Sequence, residues 1–299
     1  NLAAQLAAKG YKVLVLDIDP QADLTNSLIS PDEWREKYTE KKTIANWFDA
    51  VNENKNQSLE SLILTPENVN DDTKKKSISG RLDIIPSQLY LEEVYTNLVR
   101  MLGGASMQQS AKNYITVHRN LCEGIGELQM SLLDIDDTKR SYDSVLIDCP
   151  PNFSIVTKNA LIACDNFIIP VKLDAQSADG IARLVNGMSN LVIEHNDLVS
   201  KSRKKHTKKI SPDMLGIVFT MVQKREGKAI NSLKNIENQI RNMEYSLFDN
   251  QLRENKTIYA DAPRSCIPVV LKKTYDNSHR QVIEELVNFS EEYIKRSGI

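Results

Sequence analysis

The residues best suited to chemistry are carboxylates placed at the ends of apolar runs. The run at 144–147 is rich in β-branched residues and ends at Asp148, which is typical of a strand buried on both faces of a parallel sheet. Pro150 and Pro151 follow, and neither can donate a ladder hydrogen bond, so the strand must stop there. Asp148 is therefore predicted to lie at the carboxyl edge of a sheet, where open α/β folds bind ligands. This stretch alone leaves a solvated strand-end aspartate as the alternative.

A second buried-strand run, at 12–18, also ends in acidic residues. Asp17, Asp19 and Asp23 lie at or just after its end, and Pro20 stops the ladder. Two strands of one sheet that deliver acids to the same edge favour a shared site. Asp17 alone is equally consistent with a buried carboxylate bonded to the backbone.

The remaining pattern alternates strands with helices. Further strands are predicted at 82–86, 166–171 and 215–222, and helices at 1–9, 43–51, 59–64, 89–102, 115–133, 155–164, 180–194, 230–240 and 276–296. Segment 71–76 is predicted to be a charged loop. The alternation indicates an α/β fold with a doubly wound, mostly parallel sheet and helices on both faces. No internal repeat or low-complexity linker divides the chain, so residues 1–299 are predicted to form a single domain.

Composition limits the classes of function. The 299 residues are 41% hydrophobic and 26% charged, which is ordinary for a globular protein. The net charge of −2 predicts no global attraction to polyanions, so any contact with nucleic acid must be local. No apolar run approaches the length of a membrane span. The four cysteines and four histidines lack metal-ligand spacing, and reduced cytoplasmic thiols are expected.

Several stretches together resemble the ParA family of partition ATPases, which are deviant-Walker P-loop NTPases related to MinD and the nitrogenase iron protein. The similar stretches are DIDPQAD at 17–23, LDIIPS at 82–87, the block 142–171 that contains LIDCPP, and LGIVFTMV at 215–222. The resemblance covers nearly the whole chain. It implies a P-loop NTPase type of fold.

The start of the chain departs from the family pattern. Family members carry a phosphate-binding loop just before the opening helix, and this sequence contains no GxxxxGK[ST] motif. The chain begins at Asn1, already inside an amphipathic helix without an N-cap residue. We therefore expect an N-terminally truncated polypeptide. A chain that starts at Asn1 is expected not to bind ATP and to fold poorly.

The resemblance implies roles for the acidic residues, with ATP and Mg²⁺ as cofactors. Asp148 would hold Mg²⁺ through coordinated water, and Asp19 would orient or deprotonate the attacking water. The nucleotide and switch segments would include Asp17, Asp23, Pro150 and Pro151. Asp23 occupies a position where many family members have Asn, so its role stays open.

The most basic segment is 200–209. The cations predicted to contact DNA phosphates without sequence preference are Lys201, Arg203, Lys204, Lys205, Lys208 and Lys209. By the resemblance, Arg253 and Arg264 extend this patch. The segment has no aromatic residue for base stacking, and a solvated loop is an equally good interpretation.

The function implied is ATP hydrolysis by a homodimer that binds DNA non-specifically, segregates a plasmid or chromosome and is stimulated by a ParB-type partner. A cytoplasmic, nucleoid-associated location without membrane contact goes with it. One alternative is a MinD-like positioning ATPase, which needs a basic amphipathic C-terminal helix; here that helix carries several glutamates. The other is a non-catalytic interaction domain that lacks the phosphate loop.

Overall fold

A computed structural model describes residues 1–38, 42–75, 80–133, 141–174, 177–202, 208–225, 228–229, 231–260, 262–274 and 276–299. The strands are β1 (Lys12–Asp17), β2 (Arg81–Ile85), β3 (Ser144–Asp148), β4 (Asn166–Lys172), β5 (Asp213–Thr220), β6 (Lys224–Arg225) and β7 (Lys228–Ala229). The helices are α1 (Leu2–Ala8), α2 (Asp23–Leu28), α3 (Pro31–Lys37), α4 (Ile44–Asn52), α5 (Glu67–Lys75), α6 (Leu91–Met101), α7 (Met107–Leu133), α8 (Ile155–Ala163), α9 (Ser177–Lys201), α10 (Asn231–Arg241), α11 (Lys256–Ala260), α12 (Ala262–Ser265) and α13 (Asn277–Ser297). Short 3₁₀ helices lie at Leu59–Leu62 and Val269–Leu271.

Three parallel strands form the central sheet in the order β2-β1-β3. β1 is the middle strand, and each of its residues after Lys12 is buried. This explains why its sequence is continuously apolar up to Asp17, since both faces of a parallel strand are covered. The parallel pairing brings the carboxyl ends of β1 and β3 to the same edge.

Helices cover both faces of this sheet, as predicted. Val13 and Val15 of β1 pack in one apolar cluster with residues of α1 and α13. Leu14 and Leu16 point to the other face, where α4, α6, α7 and α8 contribute to a second cluster. The two-residue alternation of a strand thus divides the core into two layers. The predicted α/β class with a parallel sheet is confirmed.

A second parallel pair, β4 with β5, stands apart from the central sheet in its hydrogen bonds. In the described part of the chain, β3 pairs only with β1, and β4 pairs only with β5. Val145, Leu146 and Ile147 of β3 are only half-buried, although their side chains are as apolar as those of β1. Among the described residues, β3 and β4 therefore each present one edge without a strand partner.

The prediction of a loop at 71–76 is wrong for its helical part, because α5 extends to Lys75. Asn70 explains the helix, since its buried side-chain amide bonds both the N–H and the C=O of Leu82. This long-range anchor outweighs the poor helix propensity of the Asn, Asp, Thr and Val residues in α5. Among the described residues, no helix is long and apolar enough to cross a membrane.

Candidate active site

Asp17 and Asp148 are partners in the register of β1 and β3. Asp17 is fully buried, whereas Asp148 is exposed at the rim. Loss of hydration raises the pKa of Asp17 to about 6, with a smaller contribution from Asp19. Loss of hydration and then the charges of Asp17 and Asp19 raise the pKa of Asp148 to about 6. This edge of the sheet, called the acidic edge below, therefore brings together the carboxylates of Asp17, Asp19 and Asp148, whose negative charges repel one another.

The carboxylate of Asp17 accepts hydrogen bonds from within the protein. One of its oxygens accepts hydrogen bonds from the backbone N–H and the hydroxyl of Thr25, at 2.8 and 2.6 Å. The Thr25 hydroxyl in turn accepts from the backbone N–H of Ser87 at 3.0 Å. Asp17 thus ties the end of β1 to α2 and to the segment after β2, which leaves Asp148 as the accessible carboxylate.

Asp19 begins a tight turn between β1 and α2. Its Oδ1 accepts from the backbone N–H of Gln21 at 2.9 Å, and its backbone carbonyl accepts from Ala22 at 3.0 Å. Ala22 has a left-handed backbone with φ of 55°, which costs a non-glycine residue about 1–2 kcal/mol. Backbone strain of this kind concentrates at functional turns. Asp23, exposed in the first turn of α2, adds negative charge that raises the pKa of Asp148 slightly.

Ile18, which lies between Asp17 and Asp19, has its backbone fixed by hydrogen bonds from two sides. The N–H of Ile18 donates to the carbonyl of Asp148 at 3.0 Å. The carbonyl of Ile18 accepts from the hydroxyl of Tyr95 on α6 at 2.7 Å. Thr25, Ser87 and Tyr95 were not predicted as site residues, and only the three-dimensional structure brings them there.

The segment after Asp148 is a compact turn. Pro150 is buried and Pro151 is exposed, and the carbonyl of Pro150 accepts from the N–H of Asn152 at 2.8 Å. Ser154 then caps α8 through the N–H of Thr157. Burial and the charge of Asp148 raise the pKa of the Cys149 thiol to about 12. That thiol stays protonated at neutral pH and is a poor nucleophile.

The donor set at this edge fits a hard divalent cation held with few protein ligands. In the described ranges, neither Asp17 nor Asp148 forms an ion pair with a lysine or arginine. No group of three or more His, Cys, Asp and Glu side chains in those ranges is arranged as a metal cage. Mg²⁺ is usually bound by one or two carboxylates together with water and phosphate. The arrangement can therefore accept Mg²⁺ together with an anionic ligand.

The predicted basic segment lies at the start of β5. Lys201 ends α9 and pairs with Asp197 at 2.6 Å, and Lys208 and Lys209 are exposed. The predicted residues Arg203, Lys204 and Lys205 lie outside the described residues. Two contacts hold the chain as it enters β5. Arg119 donates to the carbonyl of Lys208 at 3.3 Å, and the side-chain amide of Asn196 bonds both backbone groups of Ile210 at 2.8 Å.

Arg253 lies at the other end of β5. The backbone of Leu252 pairs with residues at the end of that strand, so roughly 25 Å separate Arg253 from Lys209 at about 3.3 Å per strand residue. The guanidinium of Arg253 donates to Glu285 at 2.8 and 3.0 Å and to Gln281 at 2.6 Å. The structure therefore does not bring Arg253 together with the basic segment.

Arg264 is exposed on α12. That short helix packs on α2, the helix that follows Asp19. Arg264 thus lies on the side of the molecule that carries the acidic turn.

Comparisons with known proteins place this geometry in context. A family model described as an AAA domain matches residues 1–201. The sporulation initiation inhibitor protein Soj of Bacillus subtilis is 26% identical over 247 residues, which cover 82% of this chain and 74% of Soj.

Two solved structures share the fold. A plasmid partition protein from Borrelia burgdorferi, bound to AMPPNP, matches with a TM-score of 0.63 at 18% identity, over 99% of this chain and 91% of that one. Cobyrinic acid a,c-diamide synthase from Mycobacterium smegmatis, with a bound ATP analogue and magnesium, matches with a TM-score of 0.58 at 19% identity. That match covers 88% of this chain and 83% of the synthase.

Proposed function

Since the chain belongs to the AAA domain family and, within it, to the ParA/MinD-type P-loop ATPases, we propose that it hydrolyses Mg²⁺-bound ATP to segregate DNA. The observation that carries the proposal is the register pair of Asp17 and Asp148. Two acids whose pKa values are both raised to about 6 form a site that a divalent cation would stabilise. The relatives with bound AMPPNP or with an ATP analogue and magnesium support the same choice of ligand.

Asp148 is the residue proposed to hold Mg²⁺, through a coordinated water. Its carboxylate is exposed, whereas that of Asp17 is buried and bonded to Thr25. Bound Mg²⁺ would supply charge neutralisation on the phosphates. Asp17 then acts on the site through the backbone, because it fixes the start of α2.

Asp19 is proposed to orient or deprotonate the attacking water. Its Oδ1 is held by the N–H of Gln21 at 2.9 Å, which fixes the direction of the carboxylate. A positioned general base contributes about 10²–10⁴-fold to a rate. Pro150 and Pro151, which follow Asp148 in sequence, are proposed to form a switch segment that senses the γ-phosphate by an order–disorder transition.

The phosphate cradle is proposed to come from a strand and loop placed between β3 and β4. Both strands have an unpaired edge among the described residues, and a parallel strand there would join the two sheets. The start of α1 lies close to Asp148, and therefore beside the proposed metal site. A Gly-rich loop that enters α1 would offer backbone N–H groups to the phosphates at that point.

The partners are proposed from charge and from the family. Lys201, Lys208 and Lys209 are exposed and would contact DNA phosphates together with Arg203, Lys204 and Lys205. An ATP-dependent homodimer would double the number of such contacts, and a ParB-type protein would stimulate hydrolysis and release. A MinD-like membrane cycle receives less support, because α13 buries Val282 and Leu286 in the core and exposes glutamates.

The test compares ATP-dependent retention of DNA by the full-length protein with that by its Asp148→Ala variant. Retention should require Mg²⁺ and ATP, fall steeply with salt and be lost in the variant. Asp249→Ala is the matched control, since Asp249 is an exposed aspartate whose backbone N–H bonds Glu292 of α13, a helix outside both the acidic edge and the basic segment. Retention that is equal in Asp148→Ala, or that does not change with salt, would contradict the proposal. ATP binding without turnover would instead favour a non-catalytic interaction domain.

A further inference from the structure

Tyr95 occupies a place that neither the motifs nor the proposed roles explain. It lies on α6, on the face that carries the buried Leu91, Val94 and Leu98. A phenylalanine would pack equally well there. The tyrosine instead places its hydroxyl 2.7 Å from the carbonyl of Ile18, a residue 77 positions away in sequence.

The backbone of Ile18, directly after β1, connects this strand to β3 and to α6. Its N–H bonds the carbonyl of Asp148 at 3.0 Å, and its carbonyl is bonded by Tyr95. The peptide that joins Asp17 to Ile18 is therefore held by β3. The peptide that joins Ile18 to Asp19 is held at its carbonyl by Tyr95 of α6 and at its N–H by Oδ1 of Asp17, at 3.1 Å. Tyr95 and Asp17 together fix the plane of the Ile18–Asp19 peptide, and with it the direction in which Asp19 leaves the strand.

The turn after Ile18 has little other support. Asp19 and Gln21 are bonded within the turn itself, and Ala22 has a strained left-handed backbone. The next anchor to the rest of the fold is Thr25, which is held by Asp17. The hydroxyl of Tyr95 is thus the anchor that α6 supplies, beside the one from Asp17, upstream of a strained turn that carries the proposed catalytic aspartate.

We propose that Tyr95 is a positioning residue for Asp19, which it orients by holding the Ile18 carbonyl at the end of β1. This inference rests on the function proposed above for Asp19. Burial, and after it the negative charge of Asp19, raise the pKa of Tyr95 well above its ordinary value. The hydroxyl therefore stays protonated at neutral pH and remains a donor.

The experiment compares Tyr95→Phe with Tyr142→Phe. Tyr142 is a matched control because its buried hydroxyl also makes a 2.7 Å hydrogen bond, to Asp83 in β2, away from the acidic edge. Hydrogen exchange of the backbone amides at 19–25 is measured in each protein without nucleotide. Loss of one hydrogen bond worth about 1 kcal/mol should speed exchange there about fivefold in Tyr95→Phe only. Equal exchange in the two variants would overturn the proposal.

Kinetics on the protein provide the second measurement. Tyr95→Phe should lower kcat for ATP about tenfold and leave KM within twofold, because a misdirected Asp19 affects the chemical step more than binding. A proportional rise in KM with unchanged kcat would overturn the positioning role. If the parent protein shows no ATP turnover, the proposed function fails, whereas hydrogen exchange still decides whether Tyr95 holds the turn.

Discussion

Acidic side chains are treated in opposite ways at two places in this molecule. At the edge formed by β1 and β3, Asp148 stands beside Asp17 and Asp19, and lost hydration together with these charges raises its pKa to about 6. Beyond the end of β5, Glu285 accepts hydrogen bonds from Arg253 and Lys224. Burial acts to raise the pKa of Glu285, but these hydrogen bonds outweigh it and hold the pKa below its ordinary value.

The difference separates a site from a structural element. Glu285 has the partners that its charge requires, so nothing further is needed for it to be stable in the fold. Asp148 has like charges as neighbours, so a cation from outside the chain would stabilise it. Perturbed carboxylates of this second kind are typical of functional sites. Binding of a cation is therefore expected to give the carboxylates of the acidic edge the neutralising partner that Glu285 already has in Arg253 and Lys224.

The largest effect should come from removing the proposed base. Asp19→Asn should lower kcat for ATP by about 100-fold or more with little change in KM, since its role is limited to the chemical step. Steady-state kinetics at saturating Mg²⁺ measure this. Glu285→Gln serves as the contrast and should keep kcat within about twofold. Equal losses in the two variants would remove the distinction between the two acidic regions.

Removing Glu285 should cost stability instead. Glu285→Ala leaves Lys224 and Arg253, whose side chains are 14% and 17% exposed, without their shared partner. Breaking a buried ion pair in this way costs about 3 kcal/mol, which urea denaturation would detect. Glu284→Ala, an exposed neighbour on the same helix, should stay within about 0.5 kcal/mol. A neutral result for Glu285→Ala would show that the network is dispensable.

The contributions of the two regions to the free energy of unfolding should also change with pH in opposite directions. Because the pKa of Asp148 is raised from 3.8 to about 6, the folded state keeps a proton that the unfolded chain has lost. The free energy of unfolding therefore falls as pH rises from about 4 to about 6. Glu285, whose pKa is lowered, contributes stability above its unfolded pKa, and this is lost as pH falls through its folded pKa.

Asp148→Asn isolates the first of these terms. The decline in stability between pH 4 and 6 should shrink by about 1 kcal/mol, less than the full shift because Asp148 is exposed. Urea midpoints measured every half pH unit would show this. Mg²⁺ should stabilise the parent above pH 6 and leave the variant unchanged. An identical pH profile in Asp148→Asn would mean that the site does not carry the predicted charge repulsion.

The smallest effect concerns backbone strain at the acidic edge. Ala22 has φ of 55°, a conformation that glycine adopts without a steric penalty. Ala22→Gly should therefore raise the free energy of unfolding by about 0.5–1 kcal/mol. Ala182→Gly, inside α9, should lower it by about 1 kcal/mol. Thermal unfolding of both variants gives the comparison, and destabilisation by both would show that the turn is not strained.

The sequence predicts the central strands and their acidic ends well. β1 and β3 are continuous apolar runs that stop at Asp17 and Asp148, and proline follows each, so their type and end are local properties. α9 runs from Ser177 to Lys201 and so exceeds the predicted range 180–194 at both ends. The apolar periodicity is weak at both ends, so it does not indicate the full length of the helix. Helix ends depend on caps and on packing, which a periodicity does not record.

The supporting residues of the site could not be predicted. Tyr95 lies on an amphipathic helix, and no local pattern distinguishes its role from that of a packed aromatic. Thr25 and Ser87 meet only because β1 and β2 are parallel neighbours. Similarly, the resemblance predicts that Arg253 extends the basic segment, whereas the structure pairs it with Glu285 of α13, 32 residues away.

The unpaired edges of β3 and β4 have a consequence for solution behaviour. An exposed strand edge is a template on which strands of other chains can add, and such edges promote aggregation. β3 has a half-buried Val-Leu-Ile sequence along its length, which favours such addition at its open edge. A strand lodged between β3 and β4 would therefore do more than complete a binding site, because it would also keep the protein monodisperse at high concentration.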